Sequence, residues 1–182
     1  NYAMLISTNA GLWRYKIGDT VTFTSLKPFR IRISGRTKHF INAFGEEVIV
    51  ENAERAVAIA CEATQASIKN FTAAPVYFDE DGNKGAHEWI IEFDKLPCPI
   101  EEFTQIMDKA LQKINSDYEA KRHKDIALRM PIVHIMRKDG FNQWLKDKGK
   151  LGGQHKVPRL SNERKYLEEM LQNVFSGQKP LW

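Results

Sequence analysis

The stretch HEWIIEFDKLPCPIEEFTQIMDKALQKI, residues 87–114, changes from one hydrophobic period to another. In HEWIIEFD, Trp89, Ile91 and Phe93 alternate with other residues, which is typical of a strand. Beyond Pro99 the apolar residues recur at steps of three and four, the spacing of a helix: Phe103, Met107, Ala110, Leu111 and Ile114. The stretch therefore predicts a strand followed by a helix that opens at Pro99.

Further strands and helices are predicted on both sides of this stretch. Upstream lie a short strand near FIN (40–42) or VIV (48–50), a helix from about Glu51 to Thr64, and the strand TAAPVYF (72–78). Downstream, segment 116–128 is partly helical in pattern and PIVHIM (131–136) is a final strand. The order β-α-β-β-α-β predicts an α+β protein with a ferredoxin-like arrangement.

Two additional helices are predicted after this domain. One is GFNQWLKDK (140–148), with Asp139 as its N-cap, and the other starts near Ser161. A loop rich in glycine and in basic residues, GKLGGQHKVPR (149–159), lies between them and contains Lys156.

The N-terminal part of the chain has a different pattern. Residues 2–34 contain four short strand patterns without an accompanying helix: YAMLIST, LWRYKI, TVTFT and RIRIS. Four such strands alone would be marginally stable, and Asn1 is not an initiator residue. We expect residues 1–35 to be a remnant of a larger domain, with a second domain over residues 36–182.

Composition narrows the class of protein. With 42% hydrophobic and 27% charged residues, the chain is expected to be globular rather than disordered. Its apolar runs are too short to span a bilayer, and its histidines and cysteines lack zinc-ligand spacing. Two cysteines, Cys61 and Cys98, suit a reduced, cytoplasmic protein. The net charge of +4 is compatible with an anionic ligand and with many other partners.

Each candidate site residue has a functional and a plain interpretation. Asp19, after Gly18, could accept both hydroxyls of a ribose, or Gly18-Asp19 could be a hairpin turn. Arg36, where the pattern changes, could clamp a nucleotide or be a solvated linker charge. Lys156 could meet charge developing in a transition state or belong to an exposed basic loop. Glu46 and Glu47 could be an acid/base pair, but consecutive residues point apart on a strand, so a solvated face is favoured.

Three segments of the sequence, taken together, resemble those of a known protein family. They are GLWRYKIGD (11–19), ISGRTKHFINAFGEEVIVENAERA (33–56) and GGQHKVPRLS (152–161). Together they resemble the C-terminal part of the auxin-responsive Gretchen Hagen family of acyl-acid amido synthetases, a branch of the adenylate-forming superfamily. The resemblance extends from about residue 2 to residue 172, and the family's large N-terminal domain has no counterpart in this sequence.

The resemblance implies roles for individual residues. The family's Tyr-x-x-Gly-Asp element falls on Tyr15 to Asp19, which implies that Tyr15 and Asp19 contact the nucleotide and that Asp19 binds the ribose. Its Gly-Arg element implies Arg36 as a further nucleotide contact, with Thr37 and Lys38 as the hinge. Its C-terminal loop lysine falls on Lys156, which would be catalytic.

The implied reaction has two steps. A carboxylic acid attacks the α-phosphate of ATP, with Mg²⁺ held mainly by the missing N-terminal domain, and gives an acyl adenylate and pyrophosphate. The amine of an amino acid then attacks the acyl carbon and releases AMP. The implied partners are small molecules, with neither nucleic acid nor membrane, and this chain alone would be inactive.

Two alternatives remain open at this point. An acyl-CoA ligase would use a thiol acceptor, and the acceptor site would lie in the missing domain. A non-enzymatic ferredoxin-like module that binds nucleic acid is compatible with the composition, although the aromatic RNP1 pattern is absent from the sequence.

Overall fold

The computed structural model describes residues 2–36, 40–78, 84–97, 99–125, 127–150 and 156–175. The strands in these ranges are β1 (Tyr2–Ile6), β2 (Tyr15–Leu26), β3 (Phe29–Arg36), β4 (Phe40–Ile41), β5 (Val48–Ile49), β6 (Ser67–Val76), β7 (Ala86–Lys95) and β8 (Ile132–Met136). The α-helices are α1 (Val50–Thr64), α2 (Ile100–Ile114), α3 (Ser116–Arg122), α4 (Gly140–Asp147) and α5 (Lys165–Phe175). The predicted α+β class is confirmed.

A central sheet, with strand order β6-β7-β8, organises the C-terminal region. Strand β7 pairs antiparallel with β6 and parallel with β8. Trp89 and Ile91 join one hydrophobic core with α1 and α2, while Ile90 joins a second core with Phe141 and Trp144 of α4. Helices therefore cover both faces of the sheet, and β7 is buried over all but its last two residues.

The helices α1 and α2 begin and end close to their predicted positions, but β6 begins at Ser67, five residues before the predicted strand of residues 72–78. Helix α2 starts directly after Pro99, which is its N-cap, and α1 covers the predicted span with one additional residue, Val50. Helix α5 begins at Lys165 rather than near Ser161. The difference arises because Ser161 is engaged with β6, where its N–H donates to the Ala73 carbonyl at 3.1 Å.

The first strand of the predicted β-α-β-β-α-β order lies outside the central sheet. Phe40 pairs with Ile49 and Ile41 with Val48, so both candidate segments form strands and they pair with each other. Among the described residues the central sheet has three strands, with β8 beside β7. The ferredoxin-like arrangement therefore stays a prediction.

The N-terminal sheet has the order β1-β2-β3, and both of its pairings are antiparallel. The sequence predicted four strands here, with Gly18 and Asp19 separating the second and third. That boundary is wrong: β2 runs continuously from Tyr15 to Leu26 through both residues. A bulge accommodates them, because Met4 alone stands opposite Ile17, Gly18 and Asp19 between two regular pairs.

Candidate functional site

Asp19 and Arg36 lie directly opposite each other on β2 and β3. The interpretation of Gly18-Asp19 as a hairpin turn is therefore wrong. Gly18 has φ +87°, a conformation that glycine adopts without steric cost, and this allows β2 to bulge just before Asp19. Asp19 is half-buried and has interactions within the fold.

A second irregularity lies on the β3 side of this pair. Thr20 pairs with Gly35 and Val21 with Ile33, so Ser34 is the additional residue between the two pairs. Bulges increase local twist and redirect side chains, and they are frequent beside binding sites.

Tyr15, at the start of β2, is 52% exposed. Thr37 and Lys38, the predicted hinge, lie outside the described residues.

Lys156 is exposed, and its side chain makes no hydrogen bond or ion pair with another described residue. The residues that follow it are attached to the outer edge of β6. The Thr72 hydroxyl donates to the Pro158 carbonyl at 2.7 Å, and the Ala73 N–H donates to the Arg159 carbonyl at 2.9 Å. Within the described ranges, no hydrogen bond or ion pair joins Lys156 to Asp19.

The turn between β4 and β5 contains a buried carboxylate. Glu46 is 0% exposed, which contradicts the interpretation of this residue as part of a solvated face. Its Oε2 accepts the Phe44 N–H at 2.7 Å, and its Oε1 lies 2.9 Å from His87 Nε2. Burial raises the pKa of Glu46, but the hydrogen bond and charge of His87 and the backbone N–H groups outweigh it, so the pKa is lowered overall.

Sequence models of two neighbouring domains match the chain. The model of the GH3 family C-terminal domain matches residues 51–165, and that of the GH3 family central domain matches residues 1–36. This chain belongs to the GH3 family. The resemblance to the C-terminal part of the Gretchen Hagen family is thereby confirmed.

Solved structures give the same fold. A GH3.15 acyl acid amido synthetase superposes with a TM-score of 0.72 at 19% sequence identity, covering 93% of this chain and 33% of that one. The structure described as "AtGH3.15 acyl acid amido synthetase in complex with 2,4-DB" gives a TM-score of 0.68 at 19% identity, with 93% and 32% covered. The GH3 chain thus spans about a third of the length of these solved chains. A comparison with curated protein sequences found no match.

Two further clusters in this GH3 chain, each around a buried carboxylate, were not anticipated from sequence. Asp108 of α2 accepts hydrogen bonds from Tyr118 (2.7 Å) and from Arg122 Nε (2.8 Å), and burial raises the pKa of Tyr118 well above its ordinary value. Glu88 Oε1 lies 2.7 Å from His134 Nε2, and its Oε2 accepts from Arg164 at 2.7 Å. These carboxylates join neighbouring elements and are engaged within the fold.

A groove of about 550 Å³ lies between α1 and β6 of the GH3 chain. Its lining includes Glu54, Cys61, Phe71 and Arg159. Burial raises the pKa of the Cys61 thiol, which disfavours the reactive thiolate. The groove borders the attached segment that follows Lys156.

Neither a cluster of metal ligands nor a membrane-spanning helix is found in the described ranges. No group of three or more His, Cys, Asp or Glu side chains there is arranged to hold a metal ion. None of the helices in those ranges is long and apolar enough to cross a membrane.

Proposed function

We propose that this GH3 chain is the C-terminal part of an ATP-dependent ligase that adenylates a carboxylic acid and transfers the acyl group to the amine of an amino acid. The solved relatives named acyl acid amido synthetases support the reaction class. The geometric observation that carries the proposal is the opposition of Asp19 and Arg36 between two bulges. The proposed division into a large-domain remnant, residues 1–35, and a small domain, residues 36–182, follows the change in strand and helix pattern.

The pair on β2 and β3 is proposed to bind the nucleotide. A carboxylate has acceptor capacity for two adjacent hydroxyl donors, so Asp19 suits the ribose of ATP. A guanidinium presents a planar fork of donors, so Arg36 suits a phosphate or ribose oxygen. Tyr15 provides a partly exposed ring and hydroxyl on the same strand as Asp19. Thr37 and Lys38 are proposed as the hinge that follows Arg36.

Lys156 is proposed as the catalytic cation. An exposed ammonium without an intramolecular partner among the described residues is available to an anion. It would neutralise the α-phosphate and the attacking carboxylate as negative charge is brought together during adenylation. ATP supplies the adenylyl group that activates the carboxylate, and Mg²⁺ is proposed to be held mainly by the large domain.

The first experiment tests adenylation in the full-length protein that carries this sequence. Pyrophosphate release from ATP is followed over a panel of carboxylic acids, for the wild type and for Lys156→Ala, Asp19→Ala and the control Lys150→Ala. We expect acid-dependent release that falls about 100-fold or more in Lys156→Ala, the loss typical of removing one group that stabilises transition-state charge. Asp19→Ala is expected to raise the KM for ATP.

The control variant distinguishes a specific role of Lys156 from the effect of removing any positive charge in this segment. Lys150 is exposed in the same basic segment, so Lys150→Ala should retain wild-type release. Release without any dependence on an acid, or equal rates in the wild type and Lys156→Ala, would contradict the proposal.

The acceptor requires a second measurement. Product formation is compared with amino acids and with coenzyme A as the acceptor, using each acid that supports pyrophosphate release. We expect an amide product with amino acids. A thioester as the main product would instead identify the acyl-CoA ligase alternative. The substrates are proposed to be small molecules of the cytoplasm.

A further inference from the structure

The segment after Lys156 is attached to β6 by main-chain hydrogen bonds. The Ala73 N–H donates to the Arg159 carbonyl, and the Ala73 carbonyl accepts the Ser161 N–H. Leu160 consequently forms a parallel bridge with Ala73 and is fully buried. These bonds pair the edge of β6 that faces away from β7. The backbone N–H and C=O of Ala73, which would be unsatisfied at an unpaired edge, therefore have partners.

Thr72 extends this attachment towards Lys156. Its side chain is 1% exposed, and its hydroxyl donates to the Pro158 carbonyl at 2.7 Å. Proline has no N–H, so the carbonyl is the one main-chain group through which Pro158 can be held by a hydrogen bond. Thr72 supplies that bond from a strand 86 positions away in the chain.

The attachment at Pro158 limits where Lys156 can lie. Lys156 lies two positions before Pro158, with Val157 between them, and an extended chain covers about 3.5 Å per residue, so the two Cα atoms are at most about 7 Å apart. Val157 is further restricted towards extended conformations because it precedes a proline. The backbone origin of the Lys156 side chain is therefore defined by the Pro158 anchor.

Arg159 provides a second, weaker contact for the same segment. Its guanidinium lies 5.0 Å from the centroid of the Phe71 ring and pairs with Glu54 of α1. Both partners of the ion pair are exposed, and exposed pairs contribute little to stability. The buried hydroxyl of Thr72 is the stronger restraint because it is shielded from competing water.

We infer that Thr72 is a positioning residue for Lys156: its hydroxyl holds Pro158 so that the ammonium is presented at a defined distance from the edge of β6. This inference rests on the proposed catalytic role of Lys156. Thr72 does not contact the reacting groups in this interpretation, and it acts only through the anchored segment.

The test uses the full-length protein and three variants of buried or half-buried threonines. Thr72→Val removes the hydroxyl and keeps the branched shape, whereas Thr72→Ser keeps the donor. Thr64→Val is the matched control, because the Thr64 hydroxyl also donates to a carbonyl, that of Ala60, at 2.7 Å, but within α1. We expect Thr72→Val to lower kcat for acid-dependent pyrophosphate release about three- to tenfold, the range for one hydrogen bond, with the KM for ATP unchanged.

The other variants show whether the effect passes through Lys156. Thr72→Ser and Thr64→Val should retain wild-type kcat. In a Lys156→Ala background, adding Thr72→Val should cause no further loss, because the group being positioned is already absent. An equal loss in both backgrounds, or an equal loss in Thr64→Val, would overturn the inference by showing a general effect on stability.

Hydrogen exchange gives a readout that does not depend on activity. The Ala73 N–H, which donates to Arg159, should exchange about three- to tenfold faster in Thr72→Val if the anchor is loosened. Faster exchange with unchanged kcat, while Lys156→Ala abolishes release, would overturn the positioning role and leave the proposed function standing. Unchanged release in Lys156→Ala would contradict the proposed function and this inference together.

Discussion

Glu46 shows how a single side chain organises a turn. Its carboxylate accepts the N–H groups of Ala43 and Phe44 in the turn between β4 and β5, and it also binds His87 of β7. A carboxylate that accepts several hydrogen bonds is favoured in its charged form, which accounts for the lowered pKa of Glu46 despite complete burial. The turn and the central sheet are therefore joined through one ionised group.

Replacing Glu46 by glutamine should reveal this charge as a pH-dependent loss of stability. Because the folded-state pKa is lowered, the stabilisation is complete above the ordinary pKa of a glutamate and is lost as the pH falls through the folded-state pKa. At pH 7 we expect Glu46→Gln to lower the free energy of unfolding by about 2 kcal/mol, as for hydrogen bonds to charged groups. Urea unfolding between pH 3 and pH 7 measures the difference in the free energy of unfolding between the wild type and Glu46→Gln.

Glu47→Gln is the matched control, because Glu47 is the exposed neighbour of Glu46. It should change the free energy of unfolding little at any pH. If the difference in the free energy of unfolding between the wild type and Glu46→Gln stays constant down to pH 3, the ionised carboxylate is not the source of the stabilisation.

At the scale of elements, helix α4 depends on a residue of strand β7. Asp139 occupies the predicted N-cap position, but it has φ +60° and its side chain makes no capping hydrogen bond. Glu92, 1% exposed, accepts the Asp139 N–H at 2.7 Å and lies 3.4 Å from the Phe141 nitrogen. A negative charge at this end of a helix is also favoured by the helix dipole. The Asp139 side chain instead pairs with Lys69.

Exchanging each acid for its amide should distinguish these two roles. We expect Glu92→Gln to lower the free energy of unfolding by about 1–2 kcal/mol, the range for a lost N-terminal cap and its charge. We expect Asp139→Asn to have a smaller effect, because its ion pair is exposed to solvent. Urea unfolding and hydrogen exchange of residues 140–147 provide the two measurements. A larger loss of stability in Asp139→Asn than in Glu92→Gln would show that Asp139 is the functional cap.

At the scale of the whole molecule, the two sheets differ in how they are covered. The central sheet has a hydrophobic core on each face, whereas the N-terminal sheet leaves large apolar side chains exposed. Phe29, Ile31 and Ile33 alternate along β3 with exposures of 76%, 50% and 63%, and Phe29 contacts Phe23 of β2 edge-to-face. Alternation places these three side chains of β3 on one face.

This face should bind a hydrophobic dye in the 182-residue chain. We expect the combined substitution Phe29→Ser, Ile31→Thr and Ile33→Thr to reduce the fluorescence of a bound hydrophobic dye by about half or more, because it removes a contiguous apolar patch. Arg30→Thr, on the opposite face of β3, is the control and should leave the fluorescence unchanged. Equal fluorescence in the triple variant and the control would place the dye site elsewhere.

The sequence by itself determined the elements whose pattern is local. Alternation in residues 87–94 and the three- and four-residue steps after Pro99 predicted β7 and α2, and three short motifs together predicted the family. Periodicity reports which face of a segment is buried, and it needs no knowledge of what covers that face. The bounds of α1 and α2 were predictable for this reason.

Only the tertiary structure decided the interactions between distant parts of the chain. It placed Gly18 and Asp19 in a bulge rather than a turn, buried Glu46 against His87, capped α4 with Glu92, and held Pro158 with Thr72. The partners in the last three cases are 41, 47 and 86 positions apart. Their geometry depends on how strands and helices pack, because a buried polar group must find its partner in space, and sequence spacing does not record that distance.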